Sequence, residues 1–303
     1  MKIRFFRITW VHPWGEVCDK KRVELIEYNS YMLRSSCICS KESDFTPVIE
    51  YRDETVFKRF EGNIIARCNR CGMLKTFPRE SNKQFDPAQS RGEYYQQDKQ
   101  KFKNIFKPLV AKVLKYKNGN NILDVGCSSG ILLEALLDCN LSVTGIEPNQ
   151  GAFEIAHNEL GNRVLHGYLS DVYGKLNKKY DVVIYNHVME HIPDPHAEFA
   201  YLKKIMKSDG ILVIGVPNAD NIIFSVRKKF WEPLMPNEHV WHFTTKHMIQ
   251  LLKEHHFHIL DVSYEDDKRL DYPFLKRVYF GGMSLINKFL GTGEAVLIIA
   301  KRD

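Results

Sequence analysis

From residue 121 onward, two hydrophobic periods alternate along the chain. NILDV (121–125) is a short apolar run of strand type, and ILLEALLDC (131–139) repeats its apolar residues at helical spacing. LSVTGIE then reads as a strand, GAFEIAHNEL as a helix and RVLHG as a strand, which completes a βαβαβ half. YDVVIYN continues as a strand, HAEFAYLKKIM as an amphipathic helix, and GILVIGVPN as a strand introduced by Asp209-Gly210. Strands without internal alternation, separated by helices, predict a parallel sheet covered on both faces, an α/β doubly wound fold. Beyond it, HMIQLLKEHHF reads as a helix. FHILDVSYED and EAVLIIAKR read as strands of a closing hairpin, the second after the turn GTG.

Upstream the pattern changes. Residues 79–104 are polar and poor in aliphatics, as a connector is. Before them stand two cysteine pairs, Cys37 with Cys39 and Cys68 with Cys71, on either side of the β-rich run VIEYRDETVFKRF. The expected division is a small amino-terminal module, residues 1–90, and a catalytic domain, residues 91–303.

Composition narrows this little. Of 303 residues, 44% are apolar and 26% charged, so the chain can bury a core, and a net charge of +6 is too slight to mark a nucleic-acid-binding stripe. No run approaches the roughly 18 apolar residues of a membrane span, and the start lacks a signal-type apolar stretch with a cleavage site. Seven cysteines, an odd number, argue for a reducing compartment. A cytoplasmic protein of undetermined oligomeric state is expected.

In an open α/β sheet the ligand crevice lies beyond the carboxyl ends of the strands. There the first strand runs into Leu123-Asp124-Val125-Gly126-Cys127-Ser128-Ser129-Gly130, whose glycines let backbone approach a ligand. Asp124 would repel a pyrophosphate but can hold a cationic or hydroxyl-bearing group. Glu147, 23 residues on at the end of the second strand, can accept from both hydroxyls of an adenosine ribose.

LDVGCSSG followed by GIEPN resembles the first two motifs of class I S-adenosylmethionine-dependent methyltransferases, and NHVMEHIPDP and ILVIGVPN follow in the same order. The four matches cover about residues 121–218. This resemblance implies a Rossmann-like seven-stranded sheet with its last strand antiparallel and S-adenosylmethionine over the strand ends. It also implies that Gly126, Ser128 and Gly130 line the methionine portion, Asp124 positions it and Glu147 holds the ribose. By the same likeness Leu169 and Ser170 neighbour adenine, and Asn186 and His187 lie near the methionine or the reacting centre.

Methyl transfer from a sulfonium is an in-line displacement governed by alignment, and a hydroxyl acceptor gains from a histidine base. Six of the twelve histidines fall between residues 239 and 258. PNEHVWHFTTKHMIQLLKEHHF resembles a segment of small-molecule methyltransferases that contacts substrate, which makes His239 and His242 candidate catalytic groups beside His187. The competing reading has Trp241 and Phe243 filling the core. His187, Glu190 and His191 share one turn and can bind a divalent metal. The region resembles ubiquinone-pathway O-methyltransferases, in which an acidic residue stands at the position of His187, so loop bracing by Glu190 and His191 is the preferred reading.

Cys68-Asn69-Arg70-Cys71-Gly72 has the knuckle spacing with which two thiolates grip zinc, whereas Cys37-Ile38-Cys39 is one residue short of it. The order of parts resembles bacterial methyltransferases with an amino-terminal zinc-binding module, which implies structural Zn²⁺ on Cys37, Cys39, Cys68 and Cys71. Four buried thiols without metal are the alternative. Tyr94 and Tyr95 are expected to close over the cofactor or to pack between domains. Methyl transfer to a small-molecule acceptor, with no nucleic-acid partner, is the reading favoured over an NAD-dependent oxidoreductase or a non-catalytic adenosine- or nucleic-acid-binding module.

Overall fold

The computed structural model describes residues 32–51, 60–77, 98–267, 269 and 272–303. Tyr94 and Tyr95 lie outside the described residues. Residues 32–303 form one compact unit built on two sheets.

The larger sheet takes its parallel strands from the apolar runs of the sequence. They are β5 (Asn121–Val125), β6 (Ser142–Glu147), β7 (Val164–His166), β8 (Tyr180–Asn186) and β9 (Met206–Pro217). Two more strands, β11 (Phe257–Glu265) and β12 (Ala295–Arg302), complete the order β11-β12-β9-β8-β5-β6-β7, with β12 antiparallel to both neighbours. This is the seven-stranded doubly wound sheet that the sequence implied. Strand β9 begins at Met206, ahead of Asp209-Gly210, so that pair lies within the strand instead of introducing it.

Helices α1 (Lys99–Tyr116), α2 (Ile131–Leu137), α3 (Gln150–Leu160) and α5 (Pro195–Ile205) link or cover the strands, with the short α4 (Leu169–Val172) and α6 (Ile222–Arg227) between them. Asp98, Asn149 and Asp194 cap α1, α3 and α5 by accepting backbone N–H bonds, the role short polar side chains play at helix starts. Helix α7 (Thr245–Glu254) is capped by Thr244, and α8 (Phe274–Phe289) stands between the last two strands. The sequence reading did not predict α8. Asp266 ties it down, accepting from Ser284 at 2.6 Å and from Asn287 at 2.9 Å, while Phe274, Leu275, Leu285 and Phe289 remain exposed.

The smaller sheet is antiparallel: β1 (Leu33–Cys37), β2 (Ser40–Glu50), β3 (Ile64–Cys68) and β4 (Leu74–Phe77). Its fifth strand is β10 (Trp241–His242), which pairs with β4 through Trp241 opposite Lys75 and His242 opposite Leu74. The segment expected to contact substrate thus completes the amino-terminal sheet. Trp241 and Phe243 are buried in a core that also takes in Phe45, Met73 and Leu123. Among the described residues no helix is long and apolar enough to cross a membrane.

Candidate functional site

Strand β5 is flanked by β6 and β8, and the candidate residues gather at the carboxyl ends of these three strands. The chain leaves β5 through consecutive left-handed turns: Gly126 has φ +77°, Ser128 +49° and Gly130 +83°. Glycine is required twice here, because a Cβ on Gly126 would lie 2.5 Å from Val188 Cγ2 and one on Gly130 2.7 Å from Leu160 Cδ1. The glycines therefore serve the close packing of the turn as well as any ligand above it. The Gly126 and Cys127 N–H groups donate to Ile146 O, which fastens the turn to β6.

Glu147, at the end of β6, is nearly buried. Its Oε2 accepts from Ser128 N at 2.8 Å and its Oε1 from Asn149 N at 2.7 Å. Burial pushes its carboxyl above the ordinary value, partly offset by these two bonds. Each oxygen keeps a second lone pair, so the carboxylate braces the turn and still has acceptor capacity. Asp124 is also buried. Burial, then the charge of Glu147, push it up to about 8, with no hydrogen bond from the described residues to offset them. Two buried carboxyls at neighbouring strand ends, one of them without a hydrogen bond from the described residues, favour a ligand with a positive charge and hydroxyl donors.

The other predicted cofactor contacts are spread around the rim. Asn186 ends β8, half-buried. Leu169 is fully buried, so only its backbone is available to a ligand, whereas Ser170 is exposed and donates to Asp171 Oδ1 at 3.2 Å. Two shallow clefts, one lined by Ile249, Lys253 and His258 and the other by Tyr173, Lys178 and Lys204, lie at the opposite, amino-terminal rim of the sheet and hold none of these groups.

The three candidate catalytic histidines differ in exposure, although the rings of His239 and His242 lie 6.4 Å apart between centroids. His187 follows β8 with a half-exposed side chain and φ +57°, and its Nδ1 stands 3.5 Å from Glu190 Oε1. His239 is buried, with Nδ1 2.8 Å from Pro233 O, and burial pushes its pKa down to about 4. His242 is also closed off. Its Nε2 is 2.9 Å from Thr76 Oγ1, inside the small sheet, and burial pushes it down to about 3. Its bond to Thr76 explains its depth.

At the far end of the small sheet, the β1–β2 and β3–β4 turns lie side by side. Cys37 Sγ is 3.6 Å from Cys71 Sγ, and Cys39 Sγ is 3.8 Å from Cys68 Sγ. All four sulfurs fall within 4.8 Å of one another. The hydrogen bond with Cys37 pushes Cys71 down to about 3 and Cys37 up, and burial pushes Cys39 up to about 11. Such a four-thiol set fits a closed tetrahedral zinc site. Histidines of helices α5 and α7 hold the turn backbones: His196 Nε2 lies 2.8 Å from Ile38 O, and His247 Nε2 3.0 Å from Cys71 O. The sequence reading missed both contacts.

The sheet order and the paired carboxyls at its strand ends define a Rossmann-like methyltransferase fold. Residues 95–262, more than half of the chain, match the methyltransferase domain family, and the chain belongs to that family. Curated relatives include the ubiquinone biosynthesis O-methyltransferase of Haemophilus ducreyi, 35% identical over 109 residues, which are 33% of this chain and 46% of the relative. Another is the mitochondrial ubiquinone biosynthesis O-methyltransferase of Schizosaccharomyces pombe, 33% identical over 114 residues, 35% of this chain and 42% of the relative. The chain spans about half the length of these relatives or less. Among solved structures, a SAM-dependent methyltransferase from Archaeoglobus fulgidus shares the fold at 21% identity and a TM-score of 0.50, over 69% of this chain and 99% of that one. So does a chain of the Haloferax volcanii complex between the Trm112 methyltransferase activator and a methyltransferase, at 14% identity and a TM-score of 0.52, over 71% of this chain and 98% of that one.

Proposed function

We propose that this protein transfers the methyl group of S-adenosylmethionine to a small-molecule acceptor, a hydroxyl or amine of a sugar, lipid-linked intermediate or secondary metabolite. The observation that carries this reading is the pair of buried carboxyls, Asp124 and Glu147, on adjacent parallel strands around the left-handed 126–130 turn. When bound, S-adenosylmethionine supplies an electrophilic methyl on a sulfonium. Asp124 meets the positive charge of its methionine portion, Glu147 accepts from the ribose hydroxyls, and the backbone of Gly126, Ser128 and Gly130 fits closely around it. His187, the half-exposed histidine at the end of β8, receives the proton that the acceptor loses. The named function of the ubiquinone O-methyltransferases supports a hydroxyl acceptor. The four cysteines hold structural Zn²⁺, with no open position for catalysis.

Calorimetry with S-adenosylmethionine and with NAD tests the cofactor: binding of NAD alone would overturn the reading. Product mass spectrometry with an isotopically labelled methyl donor identifies the acceptor. Glu147→Ala is expected to weaken S-adenosylmethionine binding by about 1.5–3 kcal/mol, the worth of charged hydrogen bonds. The loss includes the bracing of Ser128 and Asn149. Unchanged affinity would place the ribose elsewhere.

A further inference from the structure

Helix α8 turns its largest side chains to solvent. Leu275 is 79% exposed, Leu285 70% and Phe289 90%, and Val278, Tyr279 and Ile286 are exposed between them. These six leave on the order of 700 Å² uncovered, at about 200 Å² for a whole large side chain. The largest apolar patch on a soluble monomer is roughly 300–600 Å², whereas each partner in a stable protein–protein interface buries ~600–1,000 Å². The helix is already anchored on its other side, where Phe280, Met283 and Asn287 are buried and Asp266 accepts from Ser284 and Asn287. The outward stripe is therefore not the face that holds α8 to the rest of the chain.

The stripe is symmetric about Gly282. Three, four and seven residues before it stand Tyr279, Val278 and Leu275, and three, four and seven after it stand Leu285, Ile286 and Phe289. At about 100° per residue, all six lie within about 60° of Gly282 around the helix axis, while Lys276, Arg277 and Lys288 lie about 120–140° away. Gly281 and Gly282 answer to no neighbour in the chain, because a Cβ on either would meet nothing within 4 Å. Each costs a helix roughly 1 kcal/mol relative to alanine. Backbone bared at the middle of an apolar stripe lets a second helix come close. A bilayer surface gains nothing from that gap and would be served better by a leucine.

We propose that the protein forms a two-fold dimer in which α8 packs antiparallel on α8 of a second copy, the two helices crossing at Gly282. Such an isologous contact sets each position against its symmetry-related one. Leu275 of one copy then meets Phe289 of the other, Val278 meets Ile286, and Tyr279 meets Leu285, so bulky pairs flank a glycine crossing on both sides. The three cations point away from the stripe to the rim, where salt and water screen their repulsion. None of the stripe residues belongs to the proposed cofactor turn, so the pairing does not depend on methyl transfer.

Sedimentation equilibrium of the full chain at tens of micromolar is expected to give twice the chain mass. Gly282→Leu supplies a better helix former and fills the crossing, and it should weaken the dimer at least about tenfold. Phe289→Glu, at a side chain 90% exposed in the single chain, should do the same. Unchanged far-ultraviolet circular dichroism shows that both variants are folded. Independently of them, Gly282→Cys should be bridged to its counterpart by a short bismaleimide, giving a covalent dimer that the wild type does not give. A wild type that stays monomeric would overturn the proposal, as would a dimer that both folded variants leave intact. Cosedimentation with vesicles of anionic phospholipid supplies the remaining outcome: vesicle binding by a monomer, strengthened in Gly282→Leu, would overturn the dimer and assign α8 to a bilayer.

Discussion

The ligand-free protein should lose stability as the pH rises from about 4 to about 8, and Asp124→Asn should remove that part of the loss. The carboxyl of Asp124 is raised from its ordinary 3.8 to about 8 in the folded chain, first by burial and then by the charge of Glu147. Between those values the folded state keeps a proton that the unfolded state has released. Since the folded chain binds more protons, stability falls with rising pH, by at most about 1.4 kcal/mol per pH unit. Below pH 4 both states are protonated, and above about pH 8 both are ionised, so the slope is confined to the window between.

The charged group that bears on Asp124 is Glu147, and the neighbouring Cys127 thiol is pushed up by burial first and then by the charge of Asp124. Both remain in the variant, so the difference between wild type and Asp124→Asn isolates the one carboxyl. Denaturant melts at pH 5 and pH 8 should show the variant gaining on the wild type by up to about 4 kcal/mol across that interval. Saturating S-adenosylmethionine should flatten the wild-type slope, because a cationic ligand favours the ionised carboxyl. Parallel wild-type and variant profiles would mean that Asp124 is solvated or paired, and the charge argument for the cofactor would fall with it.

How much of this was legible in the sequence differs from element to element for physical reasons. The parallel strands were readable because strands covered on both faces must be apolar throughout, and YDVVIYN is buried at six successive positions. Asp124 and Glu147 were readable because a strand end fixes where the next side chains point. Helix α8 was not, since its apolar residues Phe274, Leu275, Leu285 and Phe289 face outward and Gly281-Gly282, poor helix formers, stand within its span. The nearness of His239 to Glu190 was hidden by distance along the chain: nearly fifty residues separate them, and a backbone bond from Val240 N to Glu190 O brings the two segments together. His242 had the residue type of a base and the neighbourhood of a core residue, and only the pairing of β10 with β4 tells the two apart. The irregular Cys37-Ile38-Cys39 spacing fits because Cys37 ends β1 and Cys39 sits in the hairpin turn, so the two thiols approach the same point from strand and loop.

Cys68→Ser should abolish zinc binding and cost more stability than any substitution at the cofactor crevice. Cys68 is 1% exposed at the end of β3, its N–H donates to Met73 O and its carbonyl accepts from Gly72 N, so the knuckle backbone is fixed around its sulfur. A serine hydroxyl fits that space but does not supply a thiolate. Three sulfurs would then remain, two of them on the opposite hairpin. The small sheet buries Phe45, Ile49, Ile65, Met73, Leu74 and Trp241, and a metal that ties its two hairpin turns together adds to what these side chains supply. Zinc binding worth about 10–16 kcal/mol in small zinc-finger peptides sets the ceiling. A loss of at least about 4 kcal/mol is expected here, which lowers the melting temperature by roughly 6 °C or more in a chain of this size. Because β10 pairs with β4, melting of the small sheet also releases Trp241 and His242 from it. Metal analysis and thermal melts of Cys68→Ser beside Cys139→Ser, a thiol outside the cluster, check this. Unaltered melting of Cys68→Ser would show four packed thiols in place of a zinc knuckle.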